Sequence, residues 1–237
     1  MKSTKAIFKK QIKDIMKNST VLIMFFLFPA VAFAFDALVD VDIPYGNMGN
    51  VTIMMAAAFA GMGLIPTVAG IVAEDRETKS LRFLVMAGVK PMSYLLGVGG
   101  VVLILGLISS LAFTLIGGFS GQDFLIFLTV MMLSVAASII LGLTIGIYAK
   151  NHQAATGLSM PAAMILGFGP MISTFNETVA RGFNIFYTQQ LNVVTDSFAE
   201  GNQAFADHWQ SFAIIGANIA VLAVFFIIAY AKKGMKS

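Results

Sequence analysis

Glu74, Asp75, Arg76, Glu77, Lys79, Arg82 and Lys90 make the one dense charge cluster between two long apolar stretches of this chain, with Ser80, Leu81, Phe83, Leu84, Val85 and Met86 interleaved. Charges of both signs alternating with large apolar residues read as a short amphipathic helix. The plainer reading is a solvated loop that only orients the chain, which leaves the Leu and Phe spacing without a purpose. Other residues able to do chemistry are sparse. There is no cysteine, which excludes a disulfide framework and a thiolate metal site, and the only histidines are His152 and His208. No G-x-x-x-x-G-K-[ST] phosphate loop occurs, since Gly97, Gly99 and Gly100 lack the lysine and sit beside an apolar stretch. The N-x-[ST] matches at Asn18, Asn50 and Asn176 read as chance. No catalytic residue and no metal ligand set is assigned.

The elements that must position the cluster follow from where charge is missing. Residues 18–35, 43–73, 91–122, 124–149, 151–176 and 208–231 carry no Asp, Glu, Lys or Arg. Each run is close to or above the ~20 residues a spanning helix needs. The lysines and arginines fall at Lys2 to Lys17, Arg76 to Lys90, Lys150 and Lys232 to Lys236, with Arg181 the one exception. Six spans place all four groups on one side and Asp36, Asp40, Asp42, Asp123, Glu177, Asp196, Glu200 and Asp207 on the other, so the positive-inside rule predicts cytoplasmic N- and C-termini. A soluble all-α core is the alternative, but 58% apolar and 11% charged residues stand against about 25% charged in ordinary globular chains. The net charge of +3 reflects lysines facing anionic head groups and does not imply nucleic acid. The two histidines then lie on opposite sides. No charge stands at the centre of any span, which argues against a membrane enzyme and against most ion-coupled transporters.

The expected architecture is an all-α integral membrane protein, one domain over 1–237, with spans at about 21–38, 51–73, 94–117, 124–148, 156–173 and 211–231. Ahead of them Ile7, Phe8, Ile12 and Ile15 recur at helical spacing against a lysine face, predicting an interfacial amphipathic helix over 3–18. Asn18, Ser19 and Thr20 offer caps for the turn into a retained first span, which Pro29 kinks. The cluster from Glu74 onward reads as a short amphipathic helix between spans two and three. Ser134, Ser138, Gly142 and Gly146 repeat every four residues on span four and permit close helix approach, between spans of this chain or, as the alternative, between subunits. Pro161, Gly167, Gly169 and Pro170 interrupt span five. Between spans five and six, one or two short helices dip into the outer leaflet, with Phe183, Phe186, Tyr187 and Trp209 as interfacial anchors.

An amphipathic first helix, a charged helix between spans two and three and a broken outer segment before span six resemble an ABC-2-type permease, the membrane subunit of an ATP-binding-cassette exporter. The most specific stretch is E-D-R-E-T-K-S-L-R-F-L-V-M-A-G-V-K-P-M-S-Y, Glu74 to Tyr94. Glu77, Ser80, Leu81, Leu84, Pro91 and Ser93 fit the family's pattern, while Lys79 stands where Gly is usual. The resemblance implies that Glu74, Asp75, Arg76, Glu77, Lys79, Ser80, Leu81, Arg82, Phe83 and Leu84 form a coupling helix docking on a separate ATPase subunit, and that Ile7, Phe8, Ile12 and Ile15 belong to an elbow helix. It further implies two ATPase copies carrying ATP and Mg, a second permease, identical or related, and no cofactor or enzyme activity on this chain. The expected function is export of an amphipathic or hydrophobic substrate across the plasma membrane. Peptide, toxin or antimicrobial cargo is favoured, and polysaccharide or drug export stays open. The alternative is a gradient-driven secondary transporter or channel built around Pro66, Pro161 and Pro170.

Overall fold

The computed structural model describes residues 2–38, 48–80, 86, 91–199 and 204–233, and all regular structure among them is helical. Helix α1 covers Lys2–Lys17 and α2 Ser19–Leu38. Helices α3, Met48–Ala58, and α4, Ile65–Glu77, are joined by a π-helical turn, Phe59–Leu64. Then follow α5 Pro91–Ile116, α6 Gly121–Tyr148, α7 His152–Ser173, α8 Glu177–Phe183, α9 Gln190–Ala199, a 3-10 turn Phe205–His208 and α10 Trp209–Lys233. Among the described residues, six helices are long and apolar enough to cross a membrane: α2, the joined α3 and α4, α5, α6, α7 and α10. They are spans one to six.

Span two is the axis of the bundle. It is 78% buried, against 11% for span six, and it packs along spans four and five while spans one and three close the remaining sides. The π turn has a local cause. Pro66 has no N–H to give and its ring would strike the carbonyl of Met62, one turn earlier; widening that turn removes the conflict and leaves Pro66 at the start of α4, where a missing donor costs nothing. The turn is pinned by Phe59, fully buried and 6.0 Å, 6.3 Å and 5.7 Å from the rings of Phe25, Phe28 and Phe113 on spans one and three. Across the same turn, Gly61 meets the backbone of span five at Leu166 and Gly167, so any side chain at Gly61 would collide with main chain that cannot yield.

Span five departs from the expected interruptions. It runs as one helix from His152 to Ser173 with Pro161 and Pro170 inside it. Each proline removes one backbone donor, and the helix continues on both sides because span two and the outer segment pack against it. Span one likewise runs as one helix through Pro29.

Helix α1 packs against the start of span three. Ile7, Gln11 and Ile15, spaced one turn apart, are the buried stripe. Ile7 lies over Gly97 and the Phe8 ring over Gly100. The expected apolar face is therefore divided: Ile7, Phe8 and Ile15 turn to the bundle, whereas Ile12 is 39% exposed. The turn into span one is made by Asn18, whose side-chain oxygen accepts the N–H of Val21 at 3.3 Å.

Candidate functional site

At the lysine-bearing end of the bundle, the last turn of span two holds four charged residues in succession, Glu74, Asp75, Arg76 and Glu77. The helix advances about 100° per residue, so each side chain leaves in a different direction and reaches a different element. Charge begins at Glu74 but the helix does not end there. The expectation of a separate helix starting at Glu74 is corrected, because these four residues are the terminal turn of the span.

Asp75 is buried, and its Oδ1 accepts from Lys10 Nζ at 3.2 Å, tying span two to α1; Asp14, one turn along α1, sits 3.2 Å from the same ammonium. Burial alone would lower the Lys10 pKa, but the two carboxylates outweigh it and hold the group above the ordinary lysine value. Arg76 donates Nη1 to the carbonyl of Ile147 and, at 3.3 Å, to that of Ala149, the unpaired carbonyls where span four ends. A guanidinium there also meets the negative end of the helix dipole. Glu77 Oε2 accepts from the backbone N–H of His152 at 3.2 Å, at the start of span five, where Asn151 also caps Ala154 at 2.8 Å. A carboxylate suits that positive helix end. The His152 ring lies against Gly70, so the span four to span five connection is held along span two as well as at its tip.

Thr78 closes the turn, its N–H and its hydroxyl both donating to the Glu74 carbonyl at 2.9 Å. Lys79 follows with φ +57°. That left-handed conformation favours glycine, which accounts for glycine being usual at this place in the resembling pattern. Ser80 sits 2.9 Å from the Thr78 hydroxyl. Leu81, Arg82, Phe83 and Leu84 lie outside the described residues. The structure thus brings Glu74 to Glu77 together with Lys10, Ile147, Ala149 and His152. The roles of Arg76 and Glu77 at the ends of two other spans were not readable from sequence, since the groups they bind are main chain.

The stripe on span four divides in two. Gly142 and Gly146 receive span two so closely that an added Cβ would lie 2.7 Å from Val68 and Val72, and 2.9 Å and 3.0 Å from the carbonyls of Ile65 and Ala69. Ser134 and Ser138 receive the outer segment: the Ser138 hydroxyl is 2.9 Å from Tyr187 Oη, and Ser134 donates to the Tyr187 carbonyl at 3.5 Å. Tyr187 is fully buried, which corrects its expected place as an interfacial anchor; its hydroxyl finds a partner inside the bundle, where an unpaired one would be costly. Trp209 is exposed, and Phe183 packs on Gly169 and on Phe186.

Two further cavities lie away from this joint. A polar cleft of about 400 Å³ at the opposite end is lined by Ser173, Glu177, Gln189, Asn192 and Asp196. An apolar groove of about 450 Å³ runs between spans five and six past Leu166, Tyr187, Asn218 and Leu222. His208 is buried near the outer segment, its ring edge-on to Phe198.

Five apolar helices around a central sixth, with charge concentrated where span ends meet, define a multi-pass membrane protein. Residues 43–231 match the family model described as ABC-2 family transporter protein, and the chain belongs to that family. Family membership implies an ATP-binding-cassette transporter with an ATPase partner. No curated protein matches the chain.

Proposed function

We propose that this chain is the permease subunit of an ATP-driven exporter, with both termini cytoplasmic and the plasma membrane as its site. The joint at the end of span two carries the reading. The segment expected to meet the ATPase leaves directly from a turn whose residues hold α1, the end of span four and the start of span five. A force applied beyond Thr78 would therefore reach four elements at once. Two ATPase subunits carrying ATP and Mg, together with a second permease, complete the transporter, and alternating closure of the ATPases switches the pathway between its two openings. Amphipathic or hydrophobic cargo, with peptides first, fits walls rich in Met and Phe.

The test is purification of the tagged chain from its native membrane in mild detergent, with mass spectrometry of its companions and an ATP hydrolysis assay. A roughly stoichiometric ATPase that is lost from Glu77→Ala and Leu81→Ala variants supports the reading. Normal transport after both changes, or gradient-driven uptake into liposomes by the pure chain, overturns it in favour of a stand-alone transporter.

A further inference from the structure

A cleft of about 540 Å³ opens at the lysine-bearing end between α1, the start of span one and the last turn of span two. Its lining includes Gln11, Asp14, Lys17, Ser19, Thr20 and Glu74. Gln11 is only 4% exposed, yet its amide oxygen has no hydrogen-bond partner. Its neighbours on the same stripe, Ile7 and Ile15, are apolar, so packing on span three does not require an amide there. A buried polar group left unpaired is destabilising, which points to a partner supplied from outside the chain. Lys10 is already committed to Asp75 and Asp14, while Lys17 makes no ion pair among the described residues. Span one opens at Ser19; Val21 and Leu22 spend their N–H groups on Asn18, and those of Ser19 and Thr20 stand ahead of them at the positive helix end.

The lining thus offers donors and positive charge from Lys17 and the first turn of span one, and acceptors from the Gln11 amide oxygen and the carboxylates of Asp14 and Glu74. That pairing fits a zwitterion whose cation can itself donate hydrogen bonds. The site stands where an amphipathic helix turns into a spanning one, which is the depth of lipid head groups. We propose that the cleft binds a phospholipid head group of the phosphoethanolamine type. Lys17 and the start of span one take the phosphate, and Glu74, Asp14 and the Gln11 amide oxygen take the primary ammonium. A choline head group has no N–H to give the carboxylates, and a glycerol head group has no cation. The inference rests on the six helices crossing a membrane and not on the exporter reading.

Native mass spectrometry of the purified full chain, mixed with equal amounts of phosphatidylethanolamine, phosphatidylcholine and phosphatidylglycerol of matched acyl chains, tests it. The ethanolamine lipid should be retained about tenfold over the choline lipid, the factor one charge-assisted hydrogen bond supplies. Glu74→Gln should bring it down to the choline level, and Lys17→Gln should weaken both. If a variant folds poorly, competition on the unaltered chain by soluble phosphorylethanolamine, but not phosphorylcholine, gives the same answer. Equal retention of the three lipids, preference for the glycerol lipid, or a preference that survives Glu74→Gln with equal competition by the two soluble head groups would overturn the proposal.

Discussion

Single side chains decide how firmly the end of span two is held. Replacing Arg76 by Met leaves the carbonyls of Ile147 and Ala149 without their donor. The expected loss is about 1.5–3 kcal/mol, read as a lower Tm of the purified chain. Lys79→Gly should act in the opposite sense. An L-residue in the left-handed region costs roughly 1–2 kcal/mol, and Lys79 at φ +57° bears that strain, so the glycine variant should melt higher. The Lys10 to Asp75 contact carries a pH signature. Because the folded lysine pKa lies above its ordinary value, the stabilisation is complete below the unfolded pKa of about 10.4 and is lost only as pH rises through the raised folded value. With Lys10 more than a third exposed, screening keeps the pair to about 1 kcal/mol or less. The Tm difference between the unaltered chain and Lys10→Met should be flat through neutral pH and shrink in strong alkali.

At the scale of elements, what matters is how near two helices come. Gly146→Ala places a methyl 2.7 Å from Val72 Cβ and 3.0 Å from the Ala69 carbonyl. Backbone cannot retreat there, so an overpacking cost of about 1–3 kcal/mol is expected, measured as reduced thermal stability in detergent. Tyr187→Phe removes only the hydroxyl contact with Ser138 and should cost about 0.6 kcal/mol, the average for such bonds within a membrane bundle. The spans themselves were legible because charge is excluded from them, and so was the α1 helix, from the spacing of Ile7, Phe8 and Ile15. Helix ends were less legible: charge begins at Glu74 but the backbone stays helical to Glu77, since charged residues are good helix formers at a membrane surface. The π turn and the burial of Tyr187 were hidden for another reason. Both depend on what lies across the interface, Phe59 among three other rings and Tyr187 against Ser138, and no local pattern encodes such a partner.

For the whole molecule, burial is graded from span two at the centre to span six at the margin, which rests mainly on span four and the short outer helices. Amide hydrogen exchange in detergent should protect span two most and span six least; the reverse order would contradict this packing. The terminal turn of span two has a mechanical consequence of its own. Arg76 and Glu77 are adjacent and opposite in sign, and they hold helix ends of opposite polarity. Twisting span two by a single residue step in one sense would set Glu77 against the carbonyls and Arg76 against Lys10, and in the other sense Arg76 against the amide and Asp75 against the carbonyls, so either turn replaces attractions by repulsions. The joint is keyed against torque: it can pass on tilt and axial displacement to its neighbours, but it cannot slip in rotation without first coming undone.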